Sequence, residues 1–195
     1  MKKTAAEAKK TRVKILNSAL NLFTQKGFEK TSLDEISKKA GFTRGAAYTH
    51  FKSKEDILQT LLLGLETQDK SIWKKASEKE THGKKILFKY LEMTFQELEE
   101  DTFKQKMQKL LFSDPFTKSI QSKLLHLLEL DLDDTENFLK TLRKEITINP
   151  KDGATLLVAT LLGLEVLRIQ LPQRLNLLKI RKPLLKYLSD GLFHD

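Results

Sequence analysis

The chain has 195 residues, no cysteine and a formal net charge of +9 at pH 7. This length is enough for one or two domains with a sizeable core, and the lack of cysteine excludes disulfides and thiolate metal sites. The basic N terminus has no apolar segment typical of a secretory signal. The longest uncharged apolar run, residues 153–164, is too short to span a bilayer. We therefore expect a soluble, cytoplasmic protein that is not inserted in a membrane.

The net positive charge of the protein comes from the N-terminal part of the chain. Residues 1–54 contain 13 of the 35 Lys and Arg residues and 4 of the 26 Asp and Glu residues, so the remaining residues contain 22 of each sign. A basic segment attached to an electrically neutral body is typical of a protein with one polyanion-binding region.

The first predicted helix covers residues 5–26. Apolar residues recur at helical spacing from Ile15 through Ala19 to Phe23, and Gly27 is placed to end the helix. The leading lysines, Lys2 to Lys14, are either a mobile arm for a nucleic-acid backbone or a solvated tail.

Residues 31–54 predict a helix-turn-helix. Ser32 and Glu35 form an S-x-x-E capping box at the start of a short helix. Gly41 stands where the chain must leave that helix, a position that favours the left-handed backbone of glycine. Thr43 can cap a second short helix. A helix, a glycine turn and a capped helix together have the pattern of a helix-turn-helix.

The side chains of this second helix have the composition expected of a DNA-reading helix. Arg44 can reach a base edge, while Gly45 and Ala46 allow the backbone to approach the major groove. The hydroxyl, imidazole and ammonium groups that follow are suitable donors to phosphate. The alternative is a solvated helix with a charged flank. The candidate DNA-binding residues are Thr31, Ser32, Thr43, Arg44, Gly45, Ala46, Tyr48, Thr49, His50, Lys52 and Lys54.

The segments TSLDEISKKA and GFTRGAAYTHFKSKEDIL closely resemble the helix-turn-helix of the TetR family of bacterial transcriptional regulators, over roughly residues 10 to 60. Phe42 is larger and Ala47 smaller than the residues usual in that family. The resemblance implies a DNA-binding domain followed by a helical domain that binds a small molecule and forms a homodimer.

The remaining sequence predicts further helices. A cap at Ser53 and Asp56 begins a long helix, and others are expected at about residues 84–100, 114–146, 150–171 and 176–192, with prolines at 115 and 150 near two of their starts. We therefore predict an all-α protein of about nine helices. Residues 1–52 form the helix-turn-helix domain, and residues 53–195 form the ligand-binding and dimerisation domain.

The helix at residues 150–171 is apolar almost all round, which a helix at the surface of a monomer does not need. We expect its outer face, for instance at Leu161, to pack with the last helix against a second copy. The family resemblance implies the same homodimer.

A small apolar ligand is the other partner that the resemblance implies. The candidate ligand-binding residues are Trp73, Phe88, Phe95, Phe112, Phe116, His126 and Glu165. For any one aromatic residue in this set, ordinary core packing is the alternative interpretation. No catalytic motif, metal-ligand spacing or nucleotide-binding loop stands out, so we expect neither an enzyme nor a cofactor.

These observations favour a homodimeric repressor that leaves its DNA operator when a ligand binds. A DNA-binding dimer without a small-molecule inducer, acting as an activator or as the reader of a protein partner, is the alternative. A helical scaffold or enzyme that uses the basic region for another polyanion is a third possibility, which the charge distribution and Arg44-Gly45-Ala46 disfavour.

Overall fold

The structure is a computed structural model that describes residues 4–99, 103–113 and 118–193. Within these ranges it contains nine α-helices and one isolated β-bridge, between Ile146 and Phe193, which confirms the all-α class. The helices are α1 (Ala5–Lys26), α2 (Leu33–Lys39), α3 (Arg44–Tyr48), α4 (Lys54–Ser77), α5 (Gly83–Glu99), α6 (Phe103–Ser113), α7 (Lys118–Thr141), α8 (Pro150–Gln170) and α9 (Leu177–Leu192).

The described residues fall into two compact units. The first contains residues 4–68 and 103–113, and the second contains residues 69–99 and 118–193. Helix α4 is continuous, and its residues are divided between the two units.

Local capping explains the first three helices. Thr4 and Glu7 form a capping box at the start of α1, and the helix ends at Gly27, whose φ is 88°. Ser32 and Glu35 form the predicted box on α2. Gly41 has a φ of 77° in the turn before α3, a conformation that glycine adopts without strain. The predicted bounds of α1 and these caps are confirmed.

The core of the first unit is built on α1. Ile15 and Phe23 of α1 are fully buried together with Phe28, and the Phe23 and Phe28 rings meet edge to face with centroids 5.0 Å apart. Burial of each such side chain stabilises the fold by about 1.5–3 kcal/mol. Helix α6 packs against α1 and contributes Met107 and Leu110 to the buried set. We did not predict α6 as a separate helix.

In the second unit, α7 packs against α8 and α5 against α9. Helix α7 ends at Thr141, so the prediction that it reaches residue 146 was wrong. Ile146 instead bridges to Phe193, and the backbone N–H of Thr147 donates to the carbonyl of Leu192 at 2.9 Å. The predicted cap at residues 114–115 lies outside the described residues.

None of the helices in the described ranges is both long enough and apolar enough to cross a membrane.

Candidate nucleic-acid interface

Helix α3 is short and presents its polar side to solvent. The Thr43 hydroxyl accepts from the backbone N–H of Ala46 at 3.2 Å, which caps the helix as predicted. Ala47 points into the core and is fully buried, whereas Arg44, Gly45 and Tyr48 are exposed. The face of α3 that is open to a partner therefore combines one long cation, one phenol and a position with no side chain.

The turn before α3 is fixed by backbone hydrogen bonds. The N–H of Phe42 donates to the carbonyl of Ser37 at 2.9 Å, and the N–H of Gly41 donates to that of Lys38 at 3.1 Å. These bonds fix the end of α2 and the turn that follows it, and α3 packs against α2, so the two helices present their exposed residues together.

Arg44 is held by two neighbours. Its Nη1 lies 3.0 Å from Oδ2 of Asp34, a residue in the first turn of α2. Its guanidinium carbon lies 5.5 Å from the centroid of the Tyr48 ring. Tyr48, as the largest cause, and the charge of Asp34 together raise the pKa of Arg44 above its usual value.

Thr49, His50 and Lys52 follow α3 in the segment that leads to α4. Thr49 is exposed and its hydroxyl donates to the carbonyl of Ala46 at 2.7 Å. His50 is half-buried and Lys52 is exposed. Ser53 caps α4 by accepting from the N–H of Asp56 at 3.3 Å, as predicted.

Arg12 of α1 holds this segment in place, and sequence reasoning missed it. Its Nη1 donates to the carbonyl of His50 at 2.9 Å, and its Nη2 donates to the hydroxyl of Thr60 at 3.2 Å. Its guanidinium carbon lies 4.2 Å from the centroid of the Phe51 ring. The sequence shows only that Arg12 belongs to an amphipathic helix, and this does not identify the partners of its side chain.

Lys54 and Thr31 are placed differently from our expectation. The Lys54 ammonium donates to the carbonyls of Phe28 and Glu29 at 3.0 and 3.1 Å, and it lies 4.5 Å from the Phe28 ring centroid. Thr31 is buried, and its hydroxyl donates to the carbonyl of Gly27 at 2.8 Å. Thr31 is buried and the Lys54 ammonium is bound by these carbonyls, so we do not propose either residue as a DNA contact.

Ser32 remains at the surface at the start of α2. Its hydroxyl accepts from the N–H of Glu35 at 3.2 Å and donates to the Glu35 carboxylate at 2.9 Å. The Glu35 carboxylate also accepts from Lys26, and this bond, with those from Ser32, lowers the pKa of Glu35 to about 2.

The leading lysines are helical where the structure describes them. Lys9, Lys10 and Lys14 are exposed on α1, so they belong to the first helix rather than to a tail, and their contact with a nucleic-acid backbone stays a prediction. Lys2 and Lys3 lie outside the described residues.

The second unit has a small cavity beside Trp73. Its volume is about 330 Å³, and it is lined by Trp73, Lys74, Ser77, Asp134 and Phe138. The indole ring stacks on Tyr90 at 3.7 Å between centroids and meets the Phe138 ring at 4.5 Å. The indole Nε1 is buried and has no hydrogen-bond acceptor among the described residues.

The other candidate ligand residues are dispersed. Phe95 is fully buried and Phe88 is half-buried in the core cluster that also contains Trp73. Glu165 is buried on α8. His126 is 68% exposed and lies 3.9 Å from the Glu129 carboxylate, so it does not line the Trp73 cavity. Phe112 belongs to the first unit, and Phe116 lies outside the described residues.

An apolar groove runs between α8 and α9 on the second unit. It has a volume of about 460 Å³. Leu167 and Tyr187 in its lining are 45% and 75% exposed, while the Thr160 hydroxyl is satisfied within its own helix by the carbonyl of Leu156. Leu161 is buried in the core cluster, so its expected place on the outer face was wrong. The groove is lined by Ala159, Thr160, Gly163, Leu164, Leu167, Ile180, Pro183, Leu184 and Tyr187.

Comparison with known proteins places the helix-turn-helix in a family. The profile described as bacterial regulatory proteins, tetR family, matches residues 15–61. The transcriptional regulator TtgW of Pseudomonas putida is 51% identical over 61 residues, which cover 31% of this chain but only 46% of TtgW. The match to this relative therefore covers less than half of its length.

Two further comparisons extend over almost the whole chain. The transcriptional regulator TtgR, also of Pseudomonas putida, is 31% identical over 193 residues, covering 98% of this chain and 82% of TtgR. The structure of SmeT bound to triclosan has a TM-score of 0.83 at 25% identity, covering 95% of this chain and 92% of SmeT. SmeT is the repressor of the Stenotrophomonas maltophilia multidrug efflux pump SmeDEF. On this likeness over both units, the chain belongs to the tetR family of bacterial regulatory proteins.

Proposed function

We propose that this protein is a homodimeric transcriptional repressor that binds a DNA operator through α3 and leaves it when a small apolar ligand binds the second unit. The observation that carries the proposal is the exposed face of α3, where Arg44 stands beside Gly45 on a capped helix. A DNA operator as partner makes the cytoplasm the proposed place of action. We propose no catalytic role.

The DNA contacts follow from the positions of the exposed groups. Arg44 reaches a base edge, and Gly45 and Ala46 allow the backbone of α3 to approach the groove. Ser32, Thr43, Tyr48, Thr49, His50 and Lys52 contact the phosphates on either side. Such contacts give affinity that falls steeply with salt, while Arg44 supplies the preference for sequence.

The α8–α9 groove supports the homodimer. The groove exposes leucine and tyrosine side chains, and no charged residue is among those that line it. Such a surface is suited to burial against a second copy of the chain. A two-fold dimer uses the same patch on both chains. It also gives two α3 helices for two half-sites, whose centres lie about 34–36 Å apart on the duplex or a multiple of that distance.

The Trp73 cavity supports a ligand. The Trp73 and Phe138 rings line the cavity together with the polar residues Ser77 and Asp134, so an aromatic ligand with a polar group would suit it. Triclosan, the ligand of SmeT, has this chemistry. Because Trp73 lies on α4, a ligand here acts on the helix that begins directly after the DNA-contacting segment.

The DNA proposal is tested by enriching duplexes from a random-sequence pool with the wild-type protein. The product, which we call the selected duplex, is then titrated with wild type and Arg44→Ala. Loss of one bidentate base contact weakens binding by about 1–3 kcal/mol. Equal affinity of the two proteins for the selected duplex would show that α3 does not read the sequence as proposed.

The ligand proposal is tested by the fluorescence of Trp73, the single tryptophan of the chain. We expect triclosan to change the emission, and the selected duplex at saturation to raise the apparent dissociation constant of triclosan. A coupling of about 1–3 kcal/mol corresponds to 5- to 150-fold. Binding that is unaffected by the duplex would contradict release by this ligand and would favour a DNA-binding dimer without such an inducer.

A further inference from the structure

The side chain proposed to read DNA is already engaged in the free protein. Nη1 of Arg44 pairs with Oδ2 of Asp34 at 3.0 Å, although the two side chains are 67% and 44% exposed. The Tyr48 ring lies near the same guanidinium, with its centroid 5.5 Å from Cζ. The three groups come from two helices, since Asp34 is on α2 and the other two are on α3.

The ion pair of Asp34 with Arg44 is expected to contribute little to the stability of the fold. Exposed ion pairs contribute little to stability because water and salt screen them. Asp34 also places a negative charge beside a surface that has to approach phosphates, which opposes non-specific DNA binding. The helix dipole favours a carboxylate in the first turn of α2, but the contact of Asp34 with Arg44 still needs an explanation in binding.

Orientation of Arg44 provides that explanation. An exposed arginine samples many rotamers, and fixing them on binding costs conformational entropy. Asp34 engages one terminal nitrogen and the Tyr48 ring lies near the group, while guanidinium has five N–H donors in a rigid fork. Donors not used by Asp34 are left to meet the O6 and N7 acceptors of a guanine.

We propose that Asp34 is a specificity-determining positioning residue, which orients Arg44 toward a guanine and repels DNA that offers no such contact. The proposal rests on the proposed function of α3. It predicts that Asp34 raises the ratio of specific to non-specific affinity although it lowers non-specific affinity itself.

The test measures dissociation constants for the selected duplex and for a scrambled duplex of the same composition, at one salt concentration. Asp34→Ala is expected to bind the scrambled duplex more tightly and the selected duplex more weakly, so the ratio of specific to non-specific affinity falls about two- to tenfold. Asp34→Asn keeps the shape of the side chain and provides a second variant with a smaller fall. Thermal unfolding confirms that both variants are folded.

Glu55→Ala is the matched control, because Glu55 is an exposed carboxylate in the first turn of α4 of the same unit. It removes the same charge and is expected to leave the specificity ratio unchanged. In an Arg44→Ala background, Asp34→Ala is also expected to leave the ratio unchanged, since the group it orients is absent.

Three outcomes overturn the inference. If Asp34→Ala leaves the ratio at the wild-type value while Arg44→Ala lowers it, Asp34 does not position Arg44. If Asp34→Ala raises the ratio, Asp34 competes with DNA for Arg44. If Arg44→Ala itself leaves the ratio unchanged, the proposed reading by α3 fails and the inference fails with it.

Discussion

Two neighbouring lysines, Lys52 and Lys54, differ in what surrounds them. Lys54 is 19% exposed and donates to two backbone carbonyls after α1, whereas Lys52 is exposed. We expect Lys54→Ala to lower the free energy of unfolding by about 1–3 kcal/mol, because it leaves polar groups near the core without their charged donor. Urea unfolding measures this loss.

Lys52→Ala is the matched variant, with the opposite result. Its free energy of unfolding is expected to stay close to that of the wild type. The slope of the logarithm of DNA affinity against the logarithm of salt concentration is expected to decrease in magnitude by about one, as for one lost phosphate contact. A stable Lys54→Ala protein with a shallower salt dependence would show that Lys54, despite its internal bonds, contacts phosphate.

The Glu35 carboxylate makes the stability of the first unit depend on acid pH. Its pKa is lowered from 4.5 to about 2 by Lys26 and Ser32, so the folded state favours the charged form. This contribution to stability is complete above pH 4.5 and is lost as the pH falls toward 2. We expect Glu35→Gln to be less stable than wild type at pH 7 and to lose less stability between pH 4.5 and 2. Parallel pH profiles in urea unfolding would contradict this assignment.

In helix α3, a substitution at Gly45 is expected to affect DNA binding without lowering the stability of the fold. A Cβ added at Gly45 meets no atom within 4 Å, and alanine stabilises a helix relative to glycine by about 0.5–1 kcal/mol. Gly45→Ala should therefore be at least as stable as wild type, yet bind the selected duplex about tenfold more weakly, a loss of about 1.4 kcal/mol, because the methyl group holds the backbone away from the groove.

Gly83, at the start of α5, serves as the control for that substitution. A Cβ there would lie well inside contact distance of three side-chain atoms of Leu142. Gly83→Ala should thus cost about 1–3 kcal/mol in the free energy of unfolding without changing sequence preference. A Gly45→Ala protein with wild-type affinity would indicate that α3 does not approach DNA closely.

The sequence was informative where structure is decided locally. The caps at Ser32 and Thr43 and the turn at Gly41 were predictable because each depends on residues within a few positions of one another. The exposed candidates on α3 follow from the same local pattern. The end of α7 was not predictable, because Ile146 continues the apolar pattern but bridges to Phe193, 47 residues later.

The same distinction applies to the candidate site. Nothing in the sequence shows that Lys54 is bound by carbonyls near residue 28 or that Arg12 holds His50, since these partners are 26 and 38 residues away. The ion pair of Asp34 with Arg44 spans ten residues and two helices. Amino-acid type identifies groups capable of binding DNA, but tertiary contacts decide which of them remain open.

For the whole molecule, the proposed dimer is the property on which the proposed operator binding depends. We expect Leu167→Glu, in the α8–α9 groove, to give monomers in sedimentation velocity at micromolar concentration, because it buries a charge in an apolar interface. Those monomers should also lose most of their affinity for the selected duplex. Leu125→Glu on α7 is the control, since Leu125 is 61% exposed and does not line the groove. A wild-type protein that sediments as a monomer would exclude this interface.

Methylation interference tests the proposal that Arg44 contacts a guanine base in the major groove. Methylation at N7 blocks the major-groove edge of guanine that arginine recognises. We expect N7 methylation of one guanine in each half-site of the selected duplex to abolish binding by the wild-type protein, and expect that effect to disappear with Arg44→Ala. Interference at the same guanines with both proteins, or no interference at any guanine, would contradict the account.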